Sequence, residues 1–386
     1  MPFDVEVREA LIETVRRFVE ETCMPLEAQV AEDDKVPDHV IGTMKELGLF
    51  GLAVPEAYGG LGLDMETEAM VAFELGRTSP AFRSVVGTNI GIGSQALVLF
   101  GSEAQKERWL PGIASGDIIS SFALTEPEAG SDAGGLKTKA IRDGDHYVLN
   151  GGKRYITNAN TADVFTVMAR TDPDTPGAKG VSAFIVPRDI PGVSVGKPEK
   201  KMGQQGAHIC DVNFDGARVP VENRIGEEGE GFKVAMSVLD KGRLHISGVC
   251  TGMAERLIKE MVHYASERVQ FGKPIIEHQL IQGMVADSQA EAYAARCMIL
   301  DAARRRDAGE KVTMLASCCK MFASEMVGRV ADRAVQVFGG AGYVSDYGIE
   351  RFYRDARIFR LYEGTTQIQQ VIVARELAKA AKAGDL

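Results

Sequence analysis

The sequence predicts an α+β protein in three parts: an N-terminal α-helical domain, a central antiparallel β-domain and a C-terminal four-helix bundle. Three observations predict it. Apolar residues recur at helical spacing through roughly the first 120 positions; strand-forming runs follow Ser120; and from Gly231 to Ala381 the chain is Ala-rich and again helix-periodic. The expected domain boundaries are therefore 1–120, 121–227 and 228–386. A chain of 386 residues exceeds the roughly 100–200 of one domain, so two or three units with large cores are expected.

Taken in order, residues 4–31 carry Val7, Leu11, Val15, Phe18 and Val19 near helical spacing, and Pro25 marks a break or kink. Pro37 suits the first turn of the next helix, which Gly48 closes from the C′ position. Residues 64–120 continue the pattern, with Tyr58-Gly59-Gly60, Ser79-Pro80 and Pro111-Gly112 as separators. In the centre, 146–157 reads as two extended runs around a turn. Residues 164–169, 181–186 and 208–214 are rich in strand formers, and this unit ends near Gly226. Breaks at Gly272-Lys273-Pro274, Asp307-Ala308-Gly309 and Gly339-Gly340-Ala341-Gly342-Tyr343 divide the last part into about four long helices.

Composition narrows the function classes. With 44 Lys and Arg against 54 Asp and Glu, the net charge of −10 opposes unspecific binding to nucleic acid or anionic membranes. Six cysteines without a CxxC pair read as reduced thiols, and residues 1–9 show neither a signal core nor transit-peptide character; a cytoplasmic protein is expected. The most apolar long stretch, 84–100, is interrupted by Thr88, Asn89, Ser94 and Gln95, so no membrane span is expected, and no metal site is predicted.

Chemistry concentrates near the C-terminus. Thr366 with Gln369 fits a capping box, and Ile368, Val371 and Ile372 follow at helical spacing, so Glu363 sits just outside a helix N-terminus. The helix dipole there favours the carboxylate, whereas burial favours the neutral acid. Glu363 is the candidate catalytic base; the alternative is a surface carboxylate that offsets the dipole.

Five motifs give this carboxylate a context: 122–132 (FALTEPEAGSD), Tyr155-Ile156-Thr157-Asn158, 268–272 (RVQFG), 336–343 (QVFGGAGY) and Tyr362-Glu363-Gly364-Thr365. Their order and spacing resemble those of the acyl-CoA dehydrogenases along essentially the whole chain. The resemblance implies FAD between the β unit and the C-terminal helices, an acyl-CoA thioester against its ring, and α,β-desaturation. Such chemistry needs a base within about 3 Å of the α-proton and donors at the enolate oxygen. Glu363 matches the base, and its backbone N–H with a flavin hydroxyl matches the oxyanion site. It further implies electron transfer flavoprotein as acceptor and a homotetramer, a dimer of dimers.

Residue by residue, Phe122, Leu124, Thr125, Ser131, Tyr155, Ile156, Thr157, Gln270 and Phe271 match positions at the cofactor, Tyr155 standing where Trp is often found. Arg268 matches an arginine that reaches the FAD pyrophosphate from a neighbouring subunit, a task suited to its bidentate fork. His278, Gln279, Gln336, Gly339, Gly340, Thr365 and Gln367 match further FAD contacts. Substrate positions are Ser131, Asp240, Arg243, Tyr362, Gly364 and Arg375, although Asp240 and Arg243, three apart, also fit a surface ion pair. One branch of the family carries its base at the position of Gly242, where glycine cannot serve.

Two other readings are weighed. Nitroalkane oxidase resembles this fold but uses an aspartate and no CoA; the DNA-associated homologue has a basic surface that a net charge of −10 opposes. Finally, Ala81-Phe82-Arg83-Ser84 resembles a segment of glutaryl-CoA dehydrogenases whose arginine holds the substrate's far carboxylate. Either an acidic acyl tail or an internal ion pair with Glu74 or Glu68 would satisfy Arg83, because an unpaired buried charge is costly. Gly76 replaces a glutamate of those enzymes.

Overall fold

A computed structural model describes residues 4–384. The N-terminal unit is helical: α1 (Val5–Phe18), α2 (Glu27–Asp33), α3 (Asp38–Glu46), α4 (Met65–Gly76), α5 (Pro80–Ile90), α6 (Gln95–Phe100) and α7 (Glu103–Ser115). A π turn over Val19–Cys23 and a 3₁₀ turn over Met24–Leu26 occupy the predicted break around Pro25. Pro37 stands one place earlier than expected, as the N-cap of α3, and Gly48 takes positive φ just beyond that helix.

The central unit contains β1 (Ser120–Ala123), β2 (Lys139–Asp143), β3 (His146–Thr157), β4 (Val164–Arg170), β5 (Val181–Pro187), β6 (Val193–Val195), β7 (Ile209–Pro220) and β8 (Arg224–Ile225). Its spatial order is β6-β7-β3-β2-β4-β5-β8, with β1 laid on β4. The sheet is mixed rather than purely antiparallel: β1 runs parallel to β4 and β2 meets β4 in parallel at Lys139 and Arg170. The turn expected inside 146–157 is absent. Asn150-Gly151-Gly152 instead forms a bulge in one continuous strand, with a register shift against β7 between Leu149 and Gly151. Gly151 has φ +144°, and a Cβ there would stand 2.7 Å from Thr138 Cα. The turn lies earlier, at Gly144, between β2 and β3.

The C-terminal unit is built on α8 (Gly231–Glu267), followed by the small hairpin β9 (Val269–Gln270) and β10 (Lys273–Pro274). Then come α9 (Gln279–Asp307), α10 (Thr313–Phe338), α11 (Gly340–Tyr343), α12 (Ile349–Ala356) and α13 (Thr366–Ala383). α10 packs on α8, α9 and α13, which makes the four long helices one bundle. α8 also crosses α4 at very short range: a Cβ on Gly252 would lie 1.9 Å from Phe73 O, and one on Gly76 2.3 Å from Val249 O. Polar ties secure the junction. Asp307 accepts the Met65 and Glu66 amides at 2.8 and 3.0 Å, and buried Glu27 receives Thr78, the Ser79 amide and Arg351. Among the described residues no helix is long and apolar enough to cross a membrane.

Candidate active site

The loop between the 3₁₀ turn Arg357–Arg360 and α13 holds Glu363 at φ +53° and Gly364 at φ +89°. Two successive left-handed residues, one with a side chain, cost on the order of 1 kcal/mol and persist only when held. Gln369 Nε2 donates to the carbonyls of Glu363 (3.1 Å) and Gly364 (3.0 Å), and Lys320 Nζ donates to Gly364 O at 2.7 Å. The capping box expected at Thr366 is therefore not formed. Thr365 caps α13 by accepting from the Ile368 amide at 3.2 Å, while Thr366, inside the helix, donates to Glu325 and Gln369 is drawn to the loop carbonyls.

Glu363 is not a surface carboxylate. Its Oε2 is buried without a hydrogen-bond donor and faces Gly242, where an added Cβ would stand 2.4 Å away. A side chain at position 242 and that of Glu363 would thus compete for one small volume from opposite walls, and here Glu363 occupies it. Burial pushes its pKa up, while the charges of Arg83, Lys320 and Arg243 pull it back. Burial is the larger influence, so the carboxyl stays above its ordinary value.

Arg83, on α5, makes neither expected ion pair. Glu74 is taken by Arg16 and Arg77 at 3.0 and 2.8 Å, and Glu68 by Lys241 at 2.7 Å. Arg83 Nε instead donates to His245 Nε2 at 3.0 Å, and its guanidinium lies over Gly87. Burial, then the charges of Arg83 and Lys241, hold the His245 pKa well below its ordinary value, so the ring is a neutral acceptor. Among the described residues Arg83 has no carboxylate partner. Asp240 and Arg243 are no surface pair either. Arg243 is 4% exposed and donates to Asp240 at 2.6 Å; Asp240 also accepts from Thr313; and Arg243 Nε is left buried without a partner.

The β unit supplies a second wall. Ser121 Oγ donates to Thr157 O at 2.7 Å and the Arg154 amide to Thr125 O at 2.8 Å, which bring Thr125, Tyr155 and Thr157 to the end of β1 beside Phe122 and Leu124. The Thr125 and Thr157 hydroxyls engage no hydrogen bond among the described residues and are free for a ring edge. Tyr155, at φ +59°, is half exposed with the Arg154 guanidinium 4.9 Å from its ring. Ile156 faces the β core, so only its backbone is available. Ser131 is exposed on the loop after β1. Beneath this wall the buried pair Lys153–Glu126 (2.7 Å) binds Leu124 O and the amides of Lys137 and Thr138.

Arg268, Gln270, Phe271, His278, Gln279, Gln336, Gly339 and Gly340 form a separate group, where the α8–α9 connection meets the end of α10 through the stacked rings of Tyr264 and Phe338, 4.1 Å apart. Phe271 is 94% exposed, and Arg268 has no ion pair among the described residues. Thr365 and Gln367 belong to the base loop instead. Arg375 is exposed on α13, about 14 Å along the axis from Thr366. The sequence reads Gln369 only as a capping-box partner and Glu126 only within a motif, and the bracing groups Lys320, His245 and Lys153 go unread. Their only signal is a polar residue at an inward-facing place of an apolar helix or strand.

An FAD fits these surroundings. Free hydroxyls face the β wall, and the unpaired Arg268 and the open glycines Gly339 and Gly340 suit a phosphate-bearing arm. Family descriptions match all three parts of the chain: acyl-CoA dehydrogenase N-terminal domain over 6–117, middle domain over 121–217 and C-terminal domain over 229–378. An acyl-CoA dehydrogenase of Bacillus subtilis is 41% identical over 363 residues, covering 94% of this chain and 96% of its own. Butyryl-CoA dehydrogenase from Megasphaera elsdenii superposes with a TM-score of 0.94 at 35% identity, covering 98% and 100% of the two chains. An acyl-CoA dehydrogenase from Bacillus anthracis, complexed with FAD, gives 0.92 at 36%, covering 100% of this chain and 68% of that one.

Proposed function

The chain belongs to the acyl-CoA dehydrogenase family of FAD-dependent oxidoreductases, and on that premise we propose that it α,β-dehydrogenates an acyl-CoA thioester with Glu363 as the base. The observation that carries this reading is the buried Oε2 of Glu363, without a hydrogen-bond partner among the described residues and set against Gly242, where no side chain displaces it. Bound FAD supplies the acceptor for the β-hydride. Thr125, Tyr155 and Thr157 would hold its ring, and Arg268, Gln270, His278, Gln279, Gln336, Gly339 and Gly340, contributed by a second subunit, would hold its phosphate-bearing arm. Glu363 takes the α-proton. The Glu363 backbone N–H, which makes no hydrogen bond among the described residues, is a donor for the thioester oxygen. Asp240, Arg243, Ser131, Tyr362, Gly364 and Arg375 line the CoA and thioester path. Electron transfer flavoprotein as acceptor, a homotetramer, a place in β-oxidation and a cytoplasmic location complete the reading.

Anaerobic mixing with a panel of acyl-CoAs, followed by flavin absorbance, tests it. Wild type bleaches; Glu363→Gln stays folded and yellow, binds acyl-CoA and bleaches at least about 10³-fold more slowly, the upper part of what a general base contributes. Because burial raises the Glu363 pKa, bleaching declines on acidification at a higher pH than an ordinary glutamate would dictate. Normal bleaching in Glu363→Gln would move the base elsewhere.

A second reading is favoured by one observation: among the described residues Arg83 forms no ion pair, its Nε donating to neutral His245. An acyl tail ending in a carboxylate or sulfinate would pair with it, which gives a glutaryl-CoA-like dehydrogenase, decarboxylase or desulfinase.

A further inference from the structure

Lys320 lies in the middle of α10, its side chain fully buried, and it forms no ion pair among the described residues. Burial lowers its pKa to about 8, so the amine is charged at neutral pH. A buried ammonium without a carboxylate is expensive, and its one hydrogen bond goes to Gly364 O at 2.7 Å. That carbonyl belongs to the residue after the proposed base, in a loop whose two left-handed residues need holding. The same carbonyl receives Gln369 Nε2, whose amide also reaches Glu363 O. The titratable groups around Lys320 are Glu363 on the loop, Arg243 and the Cys250 thiol, kept neutral by burial, on α8, and Glu325 on its own helix. Glu325 is occupied by Arg360 and Thr366, and Arg243 by Asp240. Glu363 is thus left as the acid whose charge Lys320 serves.

We propose that Lys320 is a positioning residue for the base. Through the Gly364 carbonyl it fixes the left-handed Glu363–Gly364 backbone, which aims the carboxylate at Gly242, and its charge favours the ionised carboxylate. Gln369 shares the first task but, being neutral, not the second. This inference rests on Glu363 being the base.

The test compares Lys320→Met, Lys320→Arg and Gln369→Leu, each checked for fold and flavin content. Lys320→Met lowers kcat about 10²-fold, the usual result of a displaced reacting group, with KM nearly unchanged. The acid limb of its pH profile moves to higher pH. Gln369→Leu lowers kcat without moving that limb, and Lys320→Arg restores the limb. An activity-free readout accompanies these: the carboxyl infrared band of ¹³C-Glu-labelled protein, assigned to Glu363 by its loss in Glu363→Gln, titrates higher in Lys320→Met than in wild type. An unmoved Glu363 titration and an unmoved acid limb in Lys320→Met overturn the proposal. Should Lys320→Met not fold, the decision passes to Gln369→Leu and Lys320→Arg: wild-type kcat in the first, or an acid limb displaced upward in the second, overturns it equally. A wild type that never bleaches with acyl-CoA is the failure of the dehydrogenase reading instead, which the infrared titration distinguishes.

Discussion

Arg83 is the residue that separates the two proposed substrate readings. It stands among buried groups with a neutral histidine as its side-chain hydrogen-bond partner among the described residues, and its charge reaches both Glu363 and His245. If it meets an acidic acyl tail, Arg83→Ala removes a charge-assisted bond worth about 1.5–3 kcal/mol, so kcat/KM for glutaryl-CoA falls about 10- to 150-fold further than that for butyryl-CoA. Equal losses on both substrates make Arg83 structural and the enzyme a plain short- or medium-chain dehydrogenase. The sequence exposed this position because an arginine in an apolar helix is conspicuous. It did not expose His245, whose importance arises only where α8 passes α5. The base loop was legible for a different reason: Tyr362-Glu363-Gly364-Thr365 is a local pattern, whereas its clamp Lys320 sits 43 residues earlier on a helix that reads as ordinary core.

Among elements, the α4–α8 crossing is the tightest. Gly252 brings the α8 backbone against Phe73 O, and Gly76 brings α4 against Val249 O. Gly252→Ala cannot be absorbed by a side-chain rotation because the obstacle is a carbonyl. The helices must part, and the expected cost is about 1–3 kcal/mol, the range of overpacked cores, read as a lower midpoint in denaturant with an unchanged slope. Long helices were readable from their periodicity, and the ends at Gly48 and Asp307 from punctuation. β3 was misread because Asn-Gly is a strong turn signal, and only the packing of Gly151 against Thr138 makes it a bulge. The parallel placing of β1 on β4 leaves no trace in either strand's residues, since pairing direction is decided by the chain between them.

At the scale of the whole molecule, the chain displays Phe271, Leu280 and Tyr343 at 94, 84 and 82% exposure around the Arg268 group. Large apolar side chains so open mark a surface meant to be covered. The expectation is a tetramer in light scattering, and Arg268→Ala that keeps its fold but loses FAD on gel filtration; a flavin-replete monomer refutes it. The interior has its own unity, and α8 is its source. Its 37 residues extend about 55 Å. Gly231 at its start abuts the Ser182 backbone of the β unit, Gly242 bounds the base, Gly248 and Gly252 seat α4, and Met261 and Ala265 lie in the core of the bundle. Three apparent modules therefore share one axle: the N-terminal helices and the sheet each keep a core of their own, and α8 enters the cores that join them to one another and to the bundle. Swapping a domain from a relative exchanges one bearing of that axle while the others keep their old fit. Such chimaeras inherit a misalignment at the carboxylate even when every residue of the site is retained.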